Sequence, residues 1–424
     1  MTKGREAVVR FIKQADRANS VHLHGSFSKD FRSGRIFPLW TQLTAYLAAR
    51  APFDGWAEDT TGLQEYKDYH YPNAQNARTL WYHDHAIDHT AENAYFGQAG
   101  FYILKDAEEQ AVLGLPQDNY DIPLALASKR YNPDGTLWSP EVNQETTNLF
   151  GDVIHVNGQP WPFFKVEPRK YRFRFLNTAI SRSFQLYFEG PTGARTNFKV
   201  VGSDAGLLLN PVDTTQLDIS TAERWEVVYD FSAYKNQNVT LRNNNDIATI
   251  TPYIHTDKVM RFIVGDTVTD TRNNGDLPTK LRDVPFPPDH ATIEHEFEFQ
   301  RQGGEWKISG HAWSDGPIDR VLAKPPRGAV ERWTLKNGAG GWTHPIHIHL
   351  IDFQIVSRVG GTRPVLPYEK AALKDVVWLN TNEEVNIIAR YAPWDGLYMV
   401  SFLPLHALRP KASLTQTHSS TATI

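Results

Sequence analysis

The sequence predicts an all-β chain folded as successive β-sandwich or barrel domains. Three observations carry this. Readable segments alternate with a period of two: in "KYRFRFLN" (170–177) Tyr171, Phe173 and Phe175 take one face, and Arg172 and Arg174 the other. Turn-forming clusters punctuate the chain, at "NPDG" (132–135), "NNNDI" (243–247), "NNGDLP" (273–278) and "PFPPDH" (285–290). Long amphipathic helical patterns are scarce, while 12 Trp, 17 Tyr and 22 Phe with 26 Pro and 28 Gly suit strands joined by long loops.

The 424 residues are enough for roughly two to four domains, and 41% apolar content allows each a full core. Linkers are expected near 106–120 and 266–290. "AERWEVVYDF" (222–231) and "AVERWTLKNG" (329–338) read as related strands, each with Glu-Arg-Trp before an alternating run, and suggest a repeated domain plan. One segment breaks the pattern. "KDFRSGRIFPLWTQLTAYLAARA" (29–51) spaces Phe37, Trp40, Leu43 and Leu47 as a helix would.

Composition closes off several functions. Lys plus Arg number 44 against 48 Asp plus Glu, and the net charge of -4 points to neither nucleic acid nor a membrane surface. No apolar run is long enough for a membrane-spanning helix. The N-terminal stretch has no apolar core of the kind a signal peptide needs. The chain has no cysteine, which excludes disulfides, thiolate zinc sites, iron–sulfur clusters and blue copper. Imidazole and carboxylate are left as the main metal-binding side chains.

Histidine is where the chemistry concentrates. "HLHG" (22–25), "HDH" (83–85) and "HPIHIH" (344–349) stand out among 16 His. On a strand, residues two apart point the same way, so His22 with His24, His83 with His85, and His347 with His349 are same-face pairs. His344 lies an odd number of residues from the last pair and should point to a second site. Six convergent imidazoles imply more than one metal ion, and imidazole alone does not choose among copper, zinc, iron and nickel. A single exposed histidine is ordinarily just surface; three such pairs are not easily assigned to chance. "HDHAIDH" (83–89) is similar to the His-x-His-x-Asp-His of dinuclear zinc hydrolases, but Asp88 and His89 fall one residue too late for it.

"HLHG", "LWYHDHAIDHTAENAYFGQAGFYIL" (80–104) and "GWTHPIHIHLIDFQIVSR" (341–358) together resemble the multicopper oxidases, most of all their fungal bilirubin oxidase members. "DVIHVNGQPWPFFKVEPRKYRFRFLN" (152–177), "DKVMRFIV" (257–264) and "YEKAALKDVVWL" (368–379) are similar to the same family's second and third domains. The resemblance runs from about residue 6 to Met399 and is interrupted at 29–51. It implies three cupredoxin-like β-sandwiches, over 1–110, 120–266 and 285–399, the first incomplete, and a disordered tail over 400–424. It also implies a type 1 copper that accepts single electrons from a phenol or tetrapyrrole, and a trinuclear copper cluster that reduces O2 to water. By position, His22 and His347 would bind type 2 copper; His24, His83, His85 and His349 the type 3 pair; and His344 type 1 copper. Asp84 would deliver protons or orient an imidazole. Trp342 would line the substrate side or simply pack. Asp88 and His89 receive no role. The family implies a monomer that meets no membrane or nucleic acid, in an extracellular setting.

The resemblance fails at the C-terminus. The family closes its site with His-Cys-His, a further His and usually an axial Met. Here the chain reads "VSFLPLHALRPKASLTQTHSSTATI", with His406 and His418 isolated, and Met399 precedes the place of the motif. Type 1 copper would keep one ligand, and each type 3 copper would lose one of its imidazoles. The expectation is a copper-binding chain that does not complete oxidase turnover. Unspliced introns at 29–51 and from Val400, with a misplaced start, would account for the departures; a diverged, non-catalytic copper protein is the alternative.

Overall fold

The computed structural model describes residues 1–15, 17–27, 57, 60–61, 65–87, 89–107, 114–145, 148–245, 247, 250–291, 293–315, 319, 321–392, 399–402 and 421–423. The helix-like spacing at 29–51, Asp88, His406 and His418 lie outside these residues.

Strands dominate, as the alternation predicts. Tyr171, Phe173 and Phe175 enter a single apolar core, whereas Arg172 and Arg174 turn to the opposite face and pair with Glu226 and Asp121. The described helices are short, Thr90–Tyr95 and Pro367–Lys370 among them.

The strands form three face-to-face units. In the first, the antiparallel pair Ala7–Ile12 and Tyr66–Tyr71 covers a three-stranded sheet whose middle strand, Arg78–Asp84, lies between Val21–His24 and Ala99–Leu104. Val21, Leu23, Tyr69, Tyr71, Leu80 and Tyr102 fill the space between them. In the second, a seven-stranded sheet centred on Lys170–Asn177 and Arg224–Asp230 packs on a sheet that ends at the edge strand Phe163–Val166. In the third, a five-stranded sheet faces a four-stranded one whose inner strands are His344–Ile348 and Met399–Phe402. Trp306, Trp333, Phe353 and Ile387 are buried between these sheets.

The domain plan does repeat, but not through the Glu-Arg-Trp triplets. Lys170–Asn177 runs parallel to Asp121–Lys129 and antiparallel to Arg224–Asp230. Val330–Asn337 runs parallel to Ile293–Gln302 and antiparallel to Glu384–Arg390. The equivalent of Val330–Asn337 is therefore Lys170–Asn177, and the two triplets sit on non-equivalent strands. Side chains seal the correspondence. Asn177 Oδ1 accepts from the N–H of Ala179 and Asn337 Oδ1 from that of Ala339, both at 2.9 Å. Asn177 Nδ2 donates to the carbonyl of Arg182 and Asn337 Nδ2 to that of Trp342. Glu223 and Glu383 each cap a turn by accepting the N–H three residues before, Ser220 and Asn380. A three-residue match was too short to reveal strand partners, which are set by pairing across the sheet.

Candidate metal centre

Val21–His24 is buried along its whole length and lies antiparallel to Arg78–Asp84, with His22 opposite His83 and His24 opposite Trp81. Burial on both faces requires the short strand to be read from its pairing, and the pairing puts all four N-terminal histidines together. His85 follows at the strand end, its N–H bonded to the Ser20 carbonyl at 2.6 Å. The third unit supplies the rest. His347 sits between strands Val376–Leu379 and Met399–Phe402, and the His349 N–H bonds the Met399 carbonyl at 2.9 Å.

The six rings converge. His22 stacks on His349 with centroids 4.2 Å apart and meets His83 and His85 edge-on at 5.3 Å. His24 stacks on His347 at 3.6 Å. Donor atoms of His22, His347 and His349 lie within 4.8 Å of one another, as do those of His22, His24 and His83, and of His24, His347 and Asp375. All six histidines are buried.

Hydrogen bonds to the outer ring nitrogens decide which nitrogen faces inward. His83 Nδ1 bonds the Asp84 carbonyl at 2.8 Å, and its Nε2 faces His24 Nδ1 at 3.4 Å. His347 Nδ1 bonds the Asp375 carbonyl at 2.8 Å, and its Nε2 faces His22 Nε2 at 3.4 Å. His24 turns Nε2 toward the Asp375 carboxylate, 3.4 Å away, which leaves Nδ1 for the interior. Burial holds His24, His85 and His347 well below the usual imidazole range, so these rings are neutral with lone pairs available. Facing nitrogens at this separation suit two ligands of one ion, at roughly 2.0 Å per metal–nitrogen bond. The donor set fits copper in the cluster.

Asp375 is anchored by charge. Burial alone would raise its carboxyl, but the Arg224 guanidinium, bonded to both oxygens at 2.6 and 2.5 Å, holds it well below the usual carboxylate range. Arg224 joins all three units: its Nε bonds the Thr79 carbonyl of the first, its backbone belongs to the second, and Asp375 belongs to the third. Asp204 completes the knot, receiving the N–H of Arg224 and the Lys374 ammonium. Gly25, the last residue of "HLHG", lies against this pair. Its φ is +82°, and a Cβ there would meet Arg224 Nη2 at 2.5 Å and Asp375 Oδ2 at 2.7 Å.

His344 points elsewhere, as its parity requires. Its ring packs edge-on to Trp306 at 5.0 Å, and burial pushes its pKa down to about 3. Trp306 in turn meets half-buried Trp342 at 6.0 Å. The Trp342 carbonyl accepts from Asn337 and Thr381. Strand Met399–Phe402 pairs with His344–Ile348 and offers no thiolate; the Met399 side chain packs with Ala57 and Trp313. The donors of a type 1 site are therefore not met: a trigonal site of two His and one Cys cannot be built in a chain with no cysteine.

Asp84 faces away from the rings that flank it. Its carboxylate accepts from Ser20 N–H at 2.8 Å, Ala86 N–H at 3.2 Å and Asn93 Nδ2 at 3.0 Å, and burial raises its pKa against these bonds. His89 precedes the helix Thr90–Tyr95, its carbonyl bonded by the Asn93 N–H. Sequence reading missed Asp375, Arg224 and Gly25. The signals were present: the glycine closing "HLHG", the Lys-Asp before "VVWL", and an arginine on a buried strand.

Two β-sandwich units sharing a buried centre of six imidazoles define a metalloprotein built for more than one transition-metal ion. The comparisons with known proteins agree. Multicopper oxidase family profiles match residues 50–109, 117–257 and 285–401. The chain is 52% identical over 407 residues to the bilirubin oxidase of Albifimbria verrucaria, covering 94% of this chain and 66% of that protein. It is 33% identical to a laccase of Bacillus stratosphericus, covering 89% and 76%. A crystal structure of a multicopper oxidase from Aquifex aeolicus superposes with a TM-score of 0.79 at 24% identity, over 96% of this chain and 86% of that one. The chain belongs to the multicopper oxidase family, and the zinc hydrolase reading finds no support.

Proposed function

We propose that this chain holds copper between its first and third units, and that it does not carry electrons from an organic reductant to that copper. Its lineage reaction is one-electron oxidation of phenols or tetrapyrroles coupled to reduction of O2 to water. The reading rests on composition: the sequence holds no cysteine, so no thiolate can join His344 in a type 1 site. His344 itself is buried, with its ring edge-on to Trp306.

His22, His24, His83, His85, His347 and His349 would hold the cluster. Bound copper there supplies one-electron redox chemistry next to a place where O2 can be reduced. The protein's part is positional. The Asp84 and Asp375 carbonyls fix the tautomers of His83 and His347, the Asp375 carboxylate lies 3.4 Å from His24 Nε2 and favours a proton there, and burial keeps the rings neutral. For Asp84, its bonds to Ser20, Ala86 and Asn93 favour holding the segment that carries His83 and His85 over delivering protons. Trp342 packs beside Trp306, which supports a wall near His344.

The test is copper loading of the full chain, followed by absorption spectroscopy and O2 uptake with a phenol and with bilirubin. The reading expects bound copper, no intense blue thiolate band and no reductant-coupled O2 uptake. A blue band or coupled uptake would refute it. A monomer is proposed as well, checked by light scattering of the same sample, and an extracellular setting, checked by assaying culture medium.

A further inference from the structure

We infer that the edge strand Phe163–Val166 and the turn at 253–256 form a docking strip for an extended acidic–apolar polypeptide, on the second unit and separate from the metal centre. Phe163–Val166 ends its sheet, pairing in parallel with Lys258–Val264 on one side only among the described residues. The pairing sets Phe163 beside Arg261 and Lys165 beside Ile263. All four are exposed, so apolar and cationic side chains alternate across one face.

Large apolar side chains are exposed on this strand, on its neighbour and on the turn. Trp161 is 39% exposed, Phe163 63%, Tyr253 38%, Ile254 81% and Ile263 36%. The turn and the strand are joined: the Trp161 ring meets the His255 ring edge-on at 6.3 Å, and Arg261 N–H bonds the Pro162 carbonyl at 3.0 Å. Trp161 is held at φ +40° and His255 at φ +72°. A bulky aromatic in the left-handed region is strained, and such strain is kept where a presented side chain has a use.

Charge chooses the occupant. Lys165, Lys258 and Arg261 are exposed and make no ion pair among the described residues, while the neighbouring Asp257 is taken up by Arg242 at 2.9 Å. A strand added along Phe163–Val166 would lie with its side chains opposite Phe163 and Lys165. The complementary sequence carries an apolar residue and, two positions on, a carboxylate. Aliphatic Ile254 and Ile263 favour such a peptide over a sugar polymer. Pro162 and Lys165 are the guards an edge strand uses against pairing with copies of itself, and both leave an acidic partner acceptable.

The experiment is fluorescence anisotropy of a labelled alternating Val-Glu hexapeptide with the full chain, beside its Val-Lys counterpart and polyglutamate. The Val-Glu peptide should bind and the Val-Lys peptide should not. Lys165→Glu and Arg261→Glu should each weaken binding roughly two- to fivefold, the range of exposed charge pairs. Phe163→Ser, at an exposed position the fold does not need, should weaken it further. Equal binding of polyglutamate, equal binding of the Val-Lys peptide, or indifference to all three substitutions would each overturn the proposal.

Discussion

Replacing Asp375 with asparagine should separate the positions of the histidines from their mere presence. The side chain keeps its shape but loses its charge. In the native arrangement both oxygens accept from Arg224, at 2.6 and 2.5 Å, and one lies 3.4 Å from His24 Nε2. An amide oxygen in the place of Oδ1 could still face Arg224 Nη1 and His24 Nε2, but the NH2 group in the place of Oδ2 would set a donor against Arg224 Nη2 and remove the charge. Arg224, fully buried, is left with Asp204 at 3.4 Å as its nearest counter-charge. Breaking a buried pair from one side costs about 3–5 kcal/mol, and losing the group that orients a metal-binding imidazole weakens metal binding roughly 10–100-fold. Urea unfolding of the copper-free protein reads the first quantity, and competition with a copper chelator reads the second. Affinity within twofold of the parent, with stability lost as expected, would show that Asp375 braces the fold without setting His24, and the tautomer argument would fail.

Other outcomes follow from the same structure. Gly25→Ala forces a Cβ into the Arg224–Asp375 pair from a left-handed backbone, and should cost at least as much stability as Asp375→Asn, measured by the same unfolding curves. Asn177→Ala and Asn337→Ala remove matching buried bonds in two units and should each destabilise by about 1–3 kcal/mol; a large effect at one and none at the other would contradict the repeated plan. Glu369 is buried, which would raise its pKa, but Arg363 and Arg358 bring it down to about 2. Because the folded value lies below the ordinary one of 4.5, its stabilisation, about 3 kcal/mol, is present above that pH and fades as pH falls through about 2. The stability gap between the parent and Glu369→Gln should therefore narrow over that range, and a pH-independent gap would refute the assignment.

The all-β class and the histidine pairs were legible because each rests on strand parity, which a sequence states directly. Tyr171, Phe173 and Phe175 enter one core, and His344 leaves the cluster its neighbours join, for the same reason. What could not be read are relations between distant strands. Arg224 and Asp375 are far apart in sequence and meet only because three units close on one point. Glu-Arg-Trp misled for the complementary reason: composition repeats locally, whereas pairing partners are set across the sheet. Asn177 and Asn337 would have been the better guide, each ending its strand with the same bonds.

The central claim is that six imidazoles hold copper here without a type 1 site to feed it. The most direct measurement is electron paramagnetic resonance with optical absorption on the copper-loaded full chain, beside His22→Ala and His347→Ala. The account predicts copper signals without a blue thiolate band, and loss of copper in both variants. A blue band in the parent, or full copper retention in both variants, would contradict it.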